Sequence, residues 1–185
     1  MADSLHLPPL DDASWPEAVA DMRKGFAGGL NVYRTMAHHP ALLRAWAGLR
    51  DHVVVQTTLG RELSEVAILR TGVRLGSSYE WNQHVARARK CGLTDARIGT
   101  IRGDPSAMAP TDGLIAKAVD ELFDMARLTS ATAAEMAGAV GKEGVLDLMA
   151  TVGFYSTLGF ILNTFATPLD DDIAAELAEK PFDPG

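Results

Sequence analysis

Cysteine is almost absent from this sequence, since Cys91 is the single one among 185 residues. A single cysteine excludes an intrachain disulfide, a cysteine-based metal site and a CxxC redox pair. It also fits a reducing cell interior, so we expect a cytoplasmic protein. The first ten residues, MADSLHLPPL, lack a basic start followed by an apolar run. They therefore do not resemble a signal peptide.

An excess of positive charge is also lacking. The 17 Lys and Arg residues face 24 Asp and Glu residues, which gives a formal net charge of -7. A surface of that sign repels phosphate backbones, so we expect no nucleic-acid partner.

Alternation of apolar and polar residues, the pattern of a half-buried strand, is not sustained anywhere in the chain. The short run Val53–Val55 fits a helical continuation from Trp46 better than a strand. The longest apolar stretch, residues 145–165, is long enough to cross a membrane. It contains Asp147 and Asn163, and we expect it to be a buried core or subunit-interface helix instead, with no membrane partner.

Helical spacing of apolar residues dominates the sequence and predicts one all-α domain over residues 1–185. Residues 1–14 are predicted to form an irregular arm, and residues 167–185 a tail with one short helix. Glycines and capping residues delimit the predicted helices. Four of the main predicted helices cover residues 15–26, 62–75, 78–91 and 114–128. A fifth ends near residue 140, and the last one follows Gly141 and ends near residue 165.

The spacing of Ser77, Glu80 and His84 places their side chains on one face of a helix. A carboxylate beside an imidazole can orient the ring and relay a proton. The same spacing is also typical of a solvated surface pair. Glu65 is more suggestive of a functional residue because its helix is otherwise apolar. Ser64 and Glu65 could also form a simple polar stripe on that helix.

The segment RELSEVAILR at residues 61–70, followed by YEW at residues 79–81 and by His84, resembles the core motif of the carboxymuconolactone decarboxylase and alkylhydroperoxidase-D-like family. Asn31 to Arg34 upstream and Gly153 to Tyr155 downstream are also similar to that family. In its peroxidase branch a glutamate precedes CxxC and a histidine. Glu65 and His84 match that glutamate and histidine, but Ser77 and Glu80 occupy the cysteine positions. Thiol-dependent peroxide reduction is therefore not expected, and Glu80 with Trp81 resembles the decarboxylase branch.

The resemblance implies an all-α helix bundle that forms trimers or hexamers, with the site near a subunit contact. It implies decarboxylation of a carboxylated lactone or a related ring-cleavage product of aromatic-acid catabolism, without a cofactor. His84 would be the principal acid–base group, oriented by Glu65 and Glu80. The substrate-binding candidates have three roles. Ser77, Tyr79 and Tyr155 would donate hydrogen bonds to the enolate oxygen that forms on the substrate, and Trp81 would form an apolar wall. Arg34 or Arg74 would provide a cation for an anionic substrate.

Three alternatives remain open from the sequence. A cis–trans or double-bond isomerase of an unsaturated dicarboxylate would need the same proton-handling groups as a decarboxylase. A non-catalytic helical oligomer could bind a small acid, and a closed surround for His84 would favour it. Finally, His84, Glu65 and Glu80 could hold a metal, but no HxxxH or HxH element accompanies them, so we expect none.

Overall fold

The computed structural model describes residues 5–185, which are mainly helical and contain no β-strand in that range. The predicted all-α fold is confirmed. The first four residues of the predicted arm lie outside the described residues. The α-helices in chain order are α1 (Asn31–Met36), α2 (Pro40–Asp51), α3 (Gly60–Leu75), α4 (Ser78–Lys90), α5 (Asp95–Thr100), α6 (Pro110–Met125), α7 (Ser130–Phe165) and α8 (Asp171–Glu179).

The helix predicted over residues 15–26 is wrong. The structure has short 3₁₀ turns over Glu17–Met22, and Val19 lies outside helical geometry with a φ of −132°. The indole N–H of Trp15 donates to the carbonyl of Val19 at 2.9 Å, and both side chains are buried. Tertiary burial of this aromatic anchor thus outweighs the local helical preference.

Helix α7 begins after the Thr129 cap, and Gly141 interrupts it at the predicted break, with φ and ψ of 76° and 173°. Length and composition alone would let α7 span a membrane, but 50% of its most apolar 18-residue window is buried inside the fold. The helix packs along α3 and α6. The expectation of a core helix is therefore supported.

Two apolar clusters flank the centre of the molecule. The first is built on α1, α2 and the C-terminal half of α7, and includes Leu43 and Phe154. The second is built on α3, α4, α6 and earlier parts of α7, and includes Leu69 and Leu148. Helix α3 contributes Ile68 to the first cluster and Leu69 to the second. Polar residues on α3 and α4 therefore lie at the junction between the clusters.

The valine run continues α2 as predicted, in the form of a π-helical turn over His52–Gln56. Asp147 of α7 holds the end of this turn. Its carboxylate accepts hydrogen bonds from the Thr58 N–H at 2.7 Å and the Thr58 hydroxyl at 2.8 Å, and His52 Nε2 lies 2.6 Å away. Burial raises the pKa of Asp147, but these bonds outweigh burial and bring it below its usual range.

Replacing Asp147 by alanine should lower the free energy of unfolding by about 2–3 kcal/mol, because a buried acceptor of several hydrogen bonds is lost. Urea unfolding followed by circular dichroism measures this change. Glu143→Ala, at an exposed position of the same helix, is the control and should stay within about 0.5 kcal/mol of wild type. Equal effects of the two substitutions would show that Asp147 does not anchor the turn.

Candidate active site

The turn between α3 and α4 sets the distance between the two helices that carry the site. Gly76 ends α3 with a φ of 61°, in the left-handed region that favours glycine. Ser77 then caps α4, and its hydroxyl accepts from the Glu80 N–H at 3.4 Å. A Cβ on Gly72 would lie 3.2 Å from the Cβ of Glu80. Glycine at this position therefore allows α4 to lie close against α3.

This close packing brings Glu65 of α3 together with Glu80 and His84 of α4. His84 Nδ1 lies 2.7 Å from Glu65 Oε2, and His84 Nε2 lies 3.5 Å from Glu80 Oε2. The three residues are buried, with exposed fractions of 9% for Glu65, 2% for Glu80 and 3% for His84. The structure therefore places two carboxyl groups on opposite nitrogens of one imidazole and excludes a solvated surface pair.

Burial determines the protonation of this group. It raises the pKa of Glu80 to about 8; the nearby Glu65 and Asp170 add to the rise, while Arg87 opposes it. Burial also lowers the pKa of His84, although Glu65 acts in the opposite direction. Near neutral pH, Glu80 therefore carries a proton and the imidazole is neutral. With Nδ1–H donated to Glu65, Nε2 is left as an acceptor facing the protonated Glu80.

Two cavities meet at this group. The smaller one, of about 20 Å³, is lined by His84, Glu80 and Gln83 and holds about one water molecule. The larger one, of about 240 Å³, is lined by Glu65, Ser64 and the valine run 53–55. Tyr155 and Arg87 line both cavities. A small ligand would thus contact Glu65 directly, with His84 and Glu80 behind it.

Cations line these cavities, but they are not the arginines that the sequence suggested. The structure places Arg87 at both cavities, Arg50 at the smaller one, and Arg61 and Lys90 at the larger one. For two of these cations, helical spacing in the sequence could have indicated a position beside the site. Arg87 follows His84 by three residues, and Arg61 precedes Glu65 by four, so each shares a helix face with a site residue.

Arg34 and Arg74 lie elsewhere, which corrects the sequence-based choice. Arg34 donates to backbone carbonyls of Gly28 and Leu10 and pairs with Asp12, so it ties the N-terminal arm to α1. Arg74 pairs with acidic residues of α6, and its guanidinium lies over the ring of Phe123. Arg34 therefore holds the arm and Arg74 joins α3 to α6, through partners that their own segments do not reveal.

The predicted aromatic and hydroxyl residues divide into two groups. Tyr155 lines both cavities, and its ring meets the His84 ring edge to face at 5.0 Å. Tyr79 lines the smaller cavity, but its hydroxyl donates to Asp170 at 2.6 Å. Ser77 and Trp81 line a separate open depression on the other side of α4. The structure therefore does not bring Ser77 and Trp81 to the cavities beside His84.

Three of the five buried polar atoms without a hydrogen-bond partner within residues 5–185 belong to residues that line the two cavities. Glu80 Oε1 and Gln83 Oε1 belong to residues lining the smaller cavity, and Ser64 Oγ to a residue lining the larger one. Such atoms are costly to leave unsatisfied, so each of them carries a desolvation penalty in this arrangement. Sequence reasoning missed Gln83 and Ser64, whose residue types carry no signal of this kind.

The described part of the chain contains no group of three or more His, Cys, Asp or Glu side chains arranged to hold a metal ion. The imidazole instead meets a carboxyl group at each of its two nitrogens. That arrangement suits proton transfer.

Comparisons with known proteins support the fold, and a family profile covers the residues of the site. Two solved structures of the debrominase Bmp8 have a TM-score of 0.71 to this chain at 16% identity. One is the apo protein, and the match covers 95% of this chain and 98% of the Bmp8 chain. The other is a cysteine-to-alanine variant in complex with 2,3,4-tribromopyrrole, and the match covers 96% of this chain and 98% of the Bmp8 chain. Curated protein sequences gave no match. The profile of the carboxymuconolactone decarboxylase family matches residues 40–119, a segment that includes Glu65, Glu80 and His84. Over residues 40–119 the chain therefore matches the carboxymuconolactone decarboxylase family.

Proposed function

We propose that this protein is a cofactor-independent acid–base enzyme that decarboxylates a small anionic compound with a conjugated carbonyl group. Its substrate class would be carboxylated lactones or ring-cleavage products of aromatic-acid catabolism. The observation that carries the proposal is the buried series Glu80, His84 and Glu65, which ends at a ligand-sized cavity.

Decarboxylation next to a conjugated carbonyl leaves a dienolate, which needs a cation or donor at its oxygen and a proton at one carbon. Arg87 and Tyr155 are placed to contact the oxygen, because both line the cavity beside Glu65. The proton starts on Glu80. It reaches His84 Nε2 while Nδ1–H passes to Glu65, and Glu65 then protonates the carbon. The imidazole stays neutral throughout, which agrees with its lowered pKa.

Isomerisation of an unsaturated dicarboxylate is the alternative within the same chemistry. A screen of aromatic ring-cleavage products, followed by ultraviolet absorbance, tests both reactions. Loss of conjugation together with released CO₂ would support decarboxylation, and a changed spectrum without CO₂ would support isomerisation. If no compound in the screen reacts, the proposed substrate class is wrong.

One observation favours a non-catalytic binding protein as the second candidate. His84 is only 3% exposed, and the cavity beside it, of about 20 Å³, accommodates no more than about one water molecule. Binding of a screened acid, measured by calorimetry, without any turnover would favour this candidate over the enzyme.

Debromination, the activity named for the structural neighbour, is not proposed for this chain. A debromination that draws two electrons from a pair of thiols needs two cysteines, and this sequence has one. Burial also raises the pKa of Cys91, although Arg61 opposes this, so its reactive thiolate form is scarce near neutral pH.

We also propose a cytoplasmic homo-oligomer, a trimer or hexamer. The support is a set of large apolar side chains that α7 leaves exposed, namely Leu146, Met149 and Phe160. Apolar side chains of this size, when exposed along one helix, are typical of an interface.

Replacing Arg87 by glutamine should raise KM for an anionic substrate at least about 10-fold, because a positive charge beside both cavities is removed. Steady-state kinetics on the substrate found by the screen measures this effect. Arg127→Gln, at an exposed position outside both cavities, is the matched control and should leave KM unchanged. A rise in KM for Arg74→Gln but not for Arg87→Gln would restore the sequence-based choice of arginine.

A further inference from the structure

Helix α3 meets α4 at Gly72 with no side chain of its own between the two backbones. A Cβ built on Gly72 would lie 3.2 Å from the Glu80 Cβ and 3.5 Å from the Trp81 backbone nitrogen. Both atoms are fixed to the backbone of α4, so no side-chain rotation can relieve the contact. A larger residue at position 72 would therefore displace α4 itself, by a few tenths of an ångström.

The hydrogen bond between Glu65 and His84 crosses the same pair of helices. Glu65 belongs to α3 and His84 to α4, so the 2.7 Å between Oε2 and Nδ1 depends on how far apart the helices lie. Both side chains are buried, and dense packing leaves them little room to follow a displaced helix. Glu80 and His84 share α4 and would move together. The contact that stretches is therefore the one between Glu65 and His84.

Helix formation does not explain the glycine at position 72. Gly72 lies inside α3, which ends at Leu75, and glycine in a helix interior is less favourable than alanine. Its carbonyl accepts from the Ser77 N–H at 3.0 Å, a hydrogen bond that alanine would preserve. The close approach to Glu80 is the feature that alanine would not preserve.

We propose that Gly72 is a positioning residue for the acid–base group, because its missing side chain sets the length of the Glu65–His84 hydrogen bond. Gly72 lines neither of the two cavities beside His84 and acts only through α4. Its effect on the reaction rests on the proposed function, whereas its effect on the hydrogen bond does not. Alanine at this position would favour the helix and slow the enzyme.

Proton NMR of the full-length Gly72→Ala variant, with isotope-labelled histidine, tests the hydrogen bond directly. In the wild type, the ring N–H that His84 donates to Glu65 should resonate far downfield, and His84→Gln identifies this signal by its loss. The alanine variant should shift the signal upfield, because a longer hydrogen bond to a carboxylate is weaker. Gly72→Ser has a larger side chain and should shift the signal further in the same direction.

Steady-state kinetics on the substrate found by the screen tests the effect on proton transfer. In Gly72→Ala, kcat should fall about 10-fold, because proton transfer requires closely fixed geometry between donor and acceptor. KM should stay within about 2-fold of the wild-type value, since no residue of either cavity is replaced.

Two other glycine-to-alanine substitutions are the matched controls. Gly48→Ala in α2, where an added Cβ meets nothing within 4 Å, reports the effect of helix propensity alone. Gly159→Ala in α7 adds a Cβ at another helix contact, 2.5 Å from Leu75 Cδ1, where rotation of a flexible side chain can relieve the contact. Both variants should keep the wild-type resonance and the wild-type kcat.

Several outcomes would overturn the positioning role. They are an unchanged resonance in folded Gly72→Ala, an equal shift in Gly159→Ala, a wild-type kcat despite a shifted resonance, and failure of Gly72→Ala to fold. A shifted resonance without turnover of any compound in the screen would support the positioning role and contradict only the proposed enzyme.

Discussion

Replacing His84 by glutamine should lower turnover of the substrate about 100-fold to 10,000-fold, the usual contribution of a positioned acid–base group. Only an imidazole can accept a proton at one nitrogen while it releases another from the second. Glutamine has similar bulk and can still hydrogen-bond Glu65, but it cannot pass a proton between Glu80 and Glu65. The loss should therefore appear in kcat, with a smaller change in KM.

His6→Gln provides the control, because this histidine is exposed and lies outside both cavities. It should retain wild-type kinetics. Thermal unfolding of both variants checks that the fold persists. In His84→Ala, added imidazole should restore part of the activity if the ring itself carries the proton. Turnover near the wild-type value in a folded His84→Gln variant would remove His84 from the mechanism.

Replacing Glu80 by glutamine should stabilise the protein, and the gain should grow as pH rises. Burial raises the pKa of Glu80 from 4.5 to about 8 in the folded chain. Between these values the unfolded chain releases the proton while the folded chain retains it, so wild-type stability falls as pH rises. Above pH 8 the full penalty applies, on the order of 5 kcal/mol. Glutamine is neutral at every pH and avoids this penalty.

Urea unfolding at pH 5 and at pH 8.5 measures the difference between the variant and the wild type. This difference should be small at pH 5 and reach several kcal/mol at pH 8.5. The lowered pKa of His84 makes stability fall below pH 6.5, but it acts similarly in both proteins and largely cancels. Glu143→Gln, at an exposed site, should show no pH-dependent gain. A constant difference between wild type and Glu80→Gln at the two pH values would mean that Glu80 is ionised in the folded protein.

The helical spacing of the sequence predicted α3, α4 and the break at Gly141 because these features depend on local patterns of apolar residues and glycine. It failed at residues 15–26, where burial of Trp15 and its hydrogen bond to the Val19 carbonyl set the backbone. The proximity of Glu80 and His84 followed from their four-residue spacing. The third member, Glu65, was indicated by its otherwise apolar helix and by the family motif, but its contact with His84 was not, since no periodicity within α4 specifies a partner on α3.

The sequence by itself determined the helical class, the absence of a thiol pair and the acid–base residue types, because composition and short-range spacing fix these properties. Only the tertiary structure decided which nitrogen of His84 faces which carboxyl group. It also decided which arginines line the cavities and which form ion pairs elsewhere. It also placed Cys91 and Glu65 on the walls of one cavity. Burial, which sets the protonation of Glu80 and His84, arises where α3, α4 and α7 pack together, and no single segment encodes it.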